Sequence, residues 1–148
     1  MKIVIACLAG EACRYDGGVK RNDAVARLVD AGEAVTVCPE ELGALGTPRP
    51  PSEIQGGTGA DVLDGRVRIV NNAGRDVTHE FVQGARTALK LALEAGAEVA
   101  IFKEGSPSCG VERIYDGSFS GGQRPGEGVT TALFRREGIR VVSDETLG

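Results

Sequence analysis

Short runs of apolar, mostly β-branched residues alternate along this chain with stretches of helical periodicity. The runs lie at 2–6, 34–37, 99–102 and 139–142 and predict buried strands, with a further edge or hairpin strand at 66–70. Helices are predicted at 24–31, about 76–95 and about 128–137, and a glycine follows each of them. Because such alternation is typical of right-handed crossovers, we predict the α/β class. The specific prediction is a single Rossmann-like domain over residues 1–148, with a mainly parallel sheet and helices on both faces.

Two long segments, 39–65 and 104–126, lack this periodicity and are predicted to be loops. They hold many of the 22 glycines in a chain of 148 residues, a glycine share about twice the usual one of roughly 7%. Loops of this length in a compact domain are more often functional than mere linkers. We therefore expect ligand-binding residues in or beside them.

Charge and apolar patterning exclude several classes of partner. The formal net charge is −4 and no basic run is present, which argues against binding to duplex nucleic acid. The apolar run at 3–8 is too short for a signal-peptide core or a membrane span, so we expect no membrane partner. The predicted compartment is the cytoplasm, where structural disulfides are rare. No signal for a particular oligomeric state is present.

The four cysteines, at positions 7, 13, 38 and 109, are the main candidates for chemistry. None forms a C-x-x-C pair, which argues against a zinc ribbon and a thioredoxin-type motif. Cys7, Cys38 and Cys109 each follow a predicted strand, and the carboxyl ends of parallel strands share one edge of a sheet. These three are therefore expected to meet, and Cys13 either joins them or stands alone. The simpler alternative is that each cysteine only fills space in the core.

Polar neighbours of the cysteines suggest roles in catalysis or binding. Glu40 lies two residues beyond Cys38 and is a candidate general base near a metal-bound group. Ser106 and Ser108 precede Cys109 by three residues and by one. Their hydroxyls can hold a developing negative charge or contact a substrate. The alternatives are a surface glutamate and serines that bind turn amides.

Further candidate substrate contacts follow Cys13. Arg14, Tyr15 and Asp16 are expected to line the opening of the site formed by the cysteines. Tyr15 offers a stacking face and a hydroxyl. Lys103 and Glu104, at the end of a predicted strand, are interpreted as an ion pair. The glycines match neither a P-loop nor a dinucleotide-binding fingerprint, so nucleotide phosphates are not expected ligands.

With these motifs in place, the sequence resembles the family of small bacterial thiouracil desulfidases, long classed as a domain of unknown function. The resemblance rests on CLAG at 7–10, CRYDG at 13–17, CPE at 38–40, KE at 103–104, SPSCG at 106–110 and IYDGSF at 114–119. These motifs occur in order over nearly the whole chain.

The resemblance implies a [4Fe–4S] cluster held by three cysteines, matched here by Cys7, Cys38 and Cys109, with one iron open. Glu40 and Ser106 match the family's proposed catalytic carboxylate and hydroxyl. The implied reaction is hydrolytic desulfuration of a thiolated pyrimidine, 2-thiouracil or a related thiouracil or thiouridine. It gives the oxo base and hydrogen sulfide, with the substrate sulfur on the open iron. Such clusters are easily lost in air, so the presence of the cluster in a given sample depends on how the protein is prepared.

Two other functions stay open at this point. One is a non-catalytic iron–sulfur or metal-binding module, a sensor or sulfur carrier, with Cys13 as a fourth ligand. The other is a metal-free cysteine hydrolase or sulfurtransferase that uses one thiolate as its nucleophile. We rank the second last, because the only histidine, His79, lies in the first turn of the long predicted helix and offers no base.

Overall fold

The computed structural model describes residues 2–5, 23–45 and 50–147. The strands are β1 Lys2–Ile5, β2 Ala34–Val37, β3 Ser52–Ile54, β4 Ile69–Asn71, β5 Val99–Phe102, β6 Arg113–Tyr115, β7 Gln123–Pro125 and β8 Arg140–Ser143. The helices are α1 Asp23–Asp30, α2 Pro39–Leu42, α3 Gly59–Leu63, α4 Thr78–Glu94 and α5 Val129–Arg136, and a 3-10 turn follows at Asp144–Leu147.

Four parallel strands form the central sheet in the order β2-β1-β5-β8. The chain adds β2 on one side of β1 and β5 on the other, so the direction of strand addition reverses at β1. In open sheets of this kind, ligands bind outside the carboxyl ends of the strands at such a reversal point. The segment after β2 and the segment after β5 both leave the sheet at this edge.

The other four described strands form two antiparallel pairs, β3 with β4 and β6 with β7. Three of them, together with α2 and α3, lie in the segments predicted to be loops, so that prediction is wrong there. Each of these strands has only three residues, which is too short to show an alternating pattern. The structure confirms a mixed α/β fold, but a Rossmann-like domain with a mainly parallel sheet is not confirmed.

The three predicted helices are present, within a few residues of the predicted bounds, as α1, α4 and α5. The longest, α4, has 17 residues and contributes to both core clusters. Its residues Ala88 and Ala92 pack in the cluster beside the parallel sheet, whereas Phe81 and Ala85 pack in the cluster beside β3 and β4. Within the described ranges, no helix has both the length and the apolar character needed to cross a membrane.

Candidate active site

Two of the predicted ligands, Cys38 and Cys109, are buried in the same core cluster. Cys38 directly follows β2 and is the N-cap residue of α2, while Cys109 lies in the loop after β5. Their exposed fractions are 8% and 3%, and both sulfurs are thiols rather than disulfide sulfurs. The fold thus brings together two cysteines that are separated by 71 positions in the sequence.

The electrostatic surroundings of Cys109 favour its neutral form. Burial raises the pKa of the Cys109 thiol strongly, and the negative charge of Glu40, together with that of Cys38 whenever Cys38 is ionised, raises it further. A hydrogen bond from the sulfur to Ser108 Oγ, at 3.6 Å, and the charge of Lys103 act in the opposite direction. Glu40 and Lys103 are therefore close enough to act on the charge of this sulfur. A strongly positive partner such as a metal centre would favour the thiolate form of this residue.

Ser106 organises the turn that carries Cys109. Its Oγ accepts the backbone N–H of Ser108 at 3.0 Å and that of Cys109 at 3.2 Å. This is the turn-amide role that was the alternative interpretation from the sequence. Since a hydroxyl has two acceptor sites and one donor, this half-buried serine can accept both amides and still donate its O–H.

Ser108 is held from the opposite side by α5. Its side chain is 1% exposed, and Ser108 Oγ lies 2.7 Å from Thr130 Oγ1. This hydroxyl thus has partners within the protein in Thr130 and the Cys109 sulfur. A contact between Ser108 and substrate stays a prediction.

The first turn of α5 is capped by the carbonyl groups of the same loop. The amides of Gly128, Val129 and Thr130 donate to the carbonyls of Gly110, Pro107 and Ser108, respectively, at 2.8–2.9 Å. Thr131 Oγ1 also donates to the carbonyl of Cys109, at 3.1 Å. These bonds satisfy amides that a helix N-terminus otherwise leaves without partners. They also fix the Cys109 loop at the positive end of the α5 dipole.

A buried carboxylate, Glu104, holds the other end of this loop. The side chain is 6% exposed, and its Oε1 accepts the backbone amides of Val111, Glu112 and Arg113 at 2.8, 2.9 and 3.4 Å. Lys103 Nζ donates to the main-chain carbonyl of Glu104, at 3.5 Å. These hydrogen bonds of the Glu104 carboxylate come from backbone amides and not from the ammonium of Lys103. Sequence reasoning missed this role. An acid directly after a buried strand is the signal that could have suggested it.

An iron–sulfur cluster is held by cysteine thiolates, and the described residues supply part of such a donor set. In the described part of the chain, no group of three or more His, Cys, Asp or Glu residues is arranged to hold a metal ion. Cys38 and Cys109 provide two soft sulfur donors in a buried setting, which suits iron–sulfur ligation. The third predicted donor, Cys7, lies outside the described residues, as does Cys13. The described donors therefore fit the cluster as two of its predicted ligands.

Comparison with known proteins assigns the family. The sequence profile of 2-thiouracil desulfurase matches residues 3–146. The chain belongs to this family. It is 48% identical over 147 residues to the Bacillus subtilis (strain 168) "Uncharacterized protein YbbK", covering 99% of this chain and 97% of the relative. It is also similar to the solved structure of a [4Fe-4S]-dependent thiouracil desulfidase, TudS, with a TM-score of 0.87 and 48% identity over 98% of this chain and 91% of that one.

Several predicted residues of the family site lie outside the described residues. They are Cys7 and the three candidate substrate contacts Arg14, Tyr15 and Asp16. The predicted site residues that the structure describes are Cys38, Glu40, Ser106, Ser108 and Cys109. All five follow β2 or β5, the strands on either side of β1 in the parallel sheet.

Replacing Glu104 with alanine is expected to lower the free energy of unfolding by about 3 kcal/mol, because buried amides lose a charged acceptor. Glu104→Gln keeps an acceptor oxygen and is expected to lose only about 1 kcal/mol. Glu112→Ala, at an exposed side chain of the same loop, is the control and should change stability by less than about 0.5 kcal/mol. Urea unfolding followed by circular dichroism measures all three. Equal stability of Glu104→Ala and Glu112→Ala would contradict the role of the Glu104 carboxylate in holding the loop.

Proposed function

We propose that this protein is a [4Fe–4S]-dependent desulfidase that hydrolyses the C=S group of a thiolated pyrimidine. The substrate class is 2-thiouracil or a related thiouracil or thiouridine, and the products are the oxo base and hydrogen sulfide. The observation that carries the proposal is the pair of buried thiols, Cys38 and Cys109, after neighbouring strands of the sheet, with Glu40 near enough to influence the pKa of Cys109. The family and the [4Fe-4S]-dependent structural relative support it.

Three thiolates, from Cys7, Cys38 and Cys109, are the proposed cluster ligands. When bound, the cluster supplies an iron with an open coordination position, which acts as a Lewis acid toward the substrate sulfur. Such a partner would stabilise the thiolate of Cys109, which burial alone disfavours because it raises the pKa of this thiol. A thiolate-held cluster also suits the reducing cytoplasm predicted from the sequence.

Glu40 is the proposed general base. It lies in the first turn of α2, two residues after Cys38, and its side chain is half-buried. In this role its carboxylate removes a proton from water as the water oxygen attacks the thiocarbonyl carbon. Glu40 returns this proton to the sulfur as the carbon–sulfur bond breaks, and the second water proton also leaves with the sulfur. The water oxygen becomes the carbonyl oxygen, and the sulfur is released as hydrogen sulfide. No electrons are gained or lost overall.

Ser106 is the proposed hydrogen-bond donor to the substrate. Since its Oγ already accepts two backbone amides, the hydroxyl is oriented by the protein before any ligand binds. A donor fixed in this way stabilises charge that develops during attack without a cost of reorganisation. Arg14, Tyr15, Asp16 and Ser108 are the proposed further contacts to the pyrimidine.

The test is anaerobic reconstitution with iron and sulfide, followed by assay on a panel of thiopyrimidine bases and nucleosides. We expect visible absorption of a [4Fe–4S] cluster and release of sulfide and oxo base in equal amounts by the reconstituted protein alone. A protein that holds the full cluster but releases no sulfide would instead be a sensor or carrier module. Sulfide release by the apo-protein would favour the metal-free cysteine hydrolase.

A further inference from the structure

Two glycines bring a helix backbone into direct contact with the two described cysteine segments. An ideal Cβ placed on Gly84 of α4 would lie 1.9 Å from the carbonyl oxygen of Pro39, the residue after Cys38. One placed on Gly128 would lie 2.4 Å from the carbonyl carbon of Ser108 and 2.7 Å from the nitrogen of Cys109. Each contact is with backbone, so relief requires the cysteine segment to move by about 1 Å or more.

The contact at Gly84 holds α2 against α4. It is reciprocal, because a Cβ on Gly43, at the end of α2, would lie 2.1 Å from the carbonyl oxygen of Glu80 in α4. Gly84 lies inside the 17-residue α4, where glycine is less favourable than alanine by roughly 1 kcal/mol. Helix propensity therefore does not account for a glycine at this position, whereas the contact with Pro39 does.

The contact at Gly128 holds the Cys109 loop against α5. Gly128 is the N-cap residue of α5 with φ −77° and ψ 170°, a conformation that any residue adopts. The backbone conformation therefore does not require glycine here. Glycine is required because Ser108 and Cys109 lie too close to leave space for a Cβ. The carbonyl of Gly128 is itself packed against Gly59 of α3. An ideal Cβ placed on Gly59 would lie 2.1 Å from the carbonyl oxygen of Gly128. Gly128 is thus packed between the Cys109 loop and α3.

We propose that Gly84 and Gly128 are positioning residues that set the separation of the Cys38 and Cys109 thiols. The inference rests on the proposed function, because this separation matters for holding a cluster. The two glycines act on different groups. A side chain at 84 displaces the turn that carries both Cys38 and Glu40, whereas a side chain at 128 displaces Cys109.

The experiment compares Gly84→Ala and Gly128→Ala with Gly96→Ala as a matched control. Gly96 follows α4, has a φ of +70°, and has no atom within 4 Å of an added Cβ. Alanine at 96 thus strains the backbone without touching either cysteine segment. Each protein is reconstituted anaerobically. The measurements are iron per chain, the rate of iron loss to a chelator, the electron paramagnetic resonance spectrum of the reduced cluster, and the thermal unfolding midpoint of the apo-protein.

We expect Gly84→Ala and Gly128→Ala to lose iron at least fivefold faster than wild type and to show an altered resonance spectrum. Gly96→Ala should have a lower unfolding midpoint with the wild-type rate and spectrum. The positioning role would be overturned if both test variants behaved like wild type, or if Gly96→Ala lost iron as fast as they do. It would also be overturned if the apo-form of a test variant were unfolded. A wild-type protein that takes up no iron would contradict the proposed function itself and the cluster role of both glycines with it.

Discussion

Replacing Cys109 with alanine is expected to abolish stable cluster binding and to reduce sulfide release from 2-thiouracil by a factor of about 100 or more. Loss of an outer-shell partner alone typically costs 10–100-fold, and Cys109 is a proposed direct ligand. The same result is expected for Cys38→Ala, because the two thiols lie in one buried cluster. Iron and sulfide content, visible absorption and the rate of sulfide release are the measurements.

The control for this prediction is Cys13→Ala, which is expected to keep both the cluster and the activity. Circular dichroism checks that each variant folds, since removing one buried sulfur creates only a small cavity. Cys7→Ala should behave like Cys109→Ala. Loss of the cluster in Cys13→Ala, together with its retention in one of the other three variants, would contradict the proposed ligand set.

The position of Cys38 and Cys109 after β2 and β5 could be predicted because local patterns determine it. The apolar runs that form β2 and β5 have the predicted bounds, 34–37 and 99–102, so the residues after them were placed at the strand ends. The hydroxyl–amide bonds of Ser106 are also local, spanning two and three residues, and the sequence offers them as an alternative role for this serine.

Longer-range contacts were not predictable in the same way. Glu104 appeared as one half of an ion pair with its neighbour Lys103, because nothing in that short window shows a buried carboxylate that accepts amides up to nine residues away. Gly84 interrupts a helical pattern and looks only unfavourable there. Its reason is the backbone of Pro39, 45 residues earlier, which only the folded chain brings into contact. Residues that hold the site in place are therefore harder to identify from sequence than residues that carry its chemistry.

Replacing Glu40 with glutamine is expected to leave the reconstituted cluster intact and to lower kcat for sulfide release by a factor of about 10²–10⁴. Glutamine has nearly the same size, so the α2 turn and its contact with α4 should be preserved, but an amide does not accept a proton from water. The measurements are iron and sulfide content, visible absorption and kcat with 2-thiouracil.

The matched control is Glu41→Gln, one position further along the same turn. Glu41 is exposed, whereas Glu40 is half-buried and acts on the charge of Cys109. Both substitutions remove one negative charge from α2, so a general effect of charge would appear in both. A loss confined to Glu40→Gln, with unchanged iron content, assigns the effect to proton transfer. Full activity of Glu40→Gln would remove this residue from the role of base and leave the attacking water to be activated by another group.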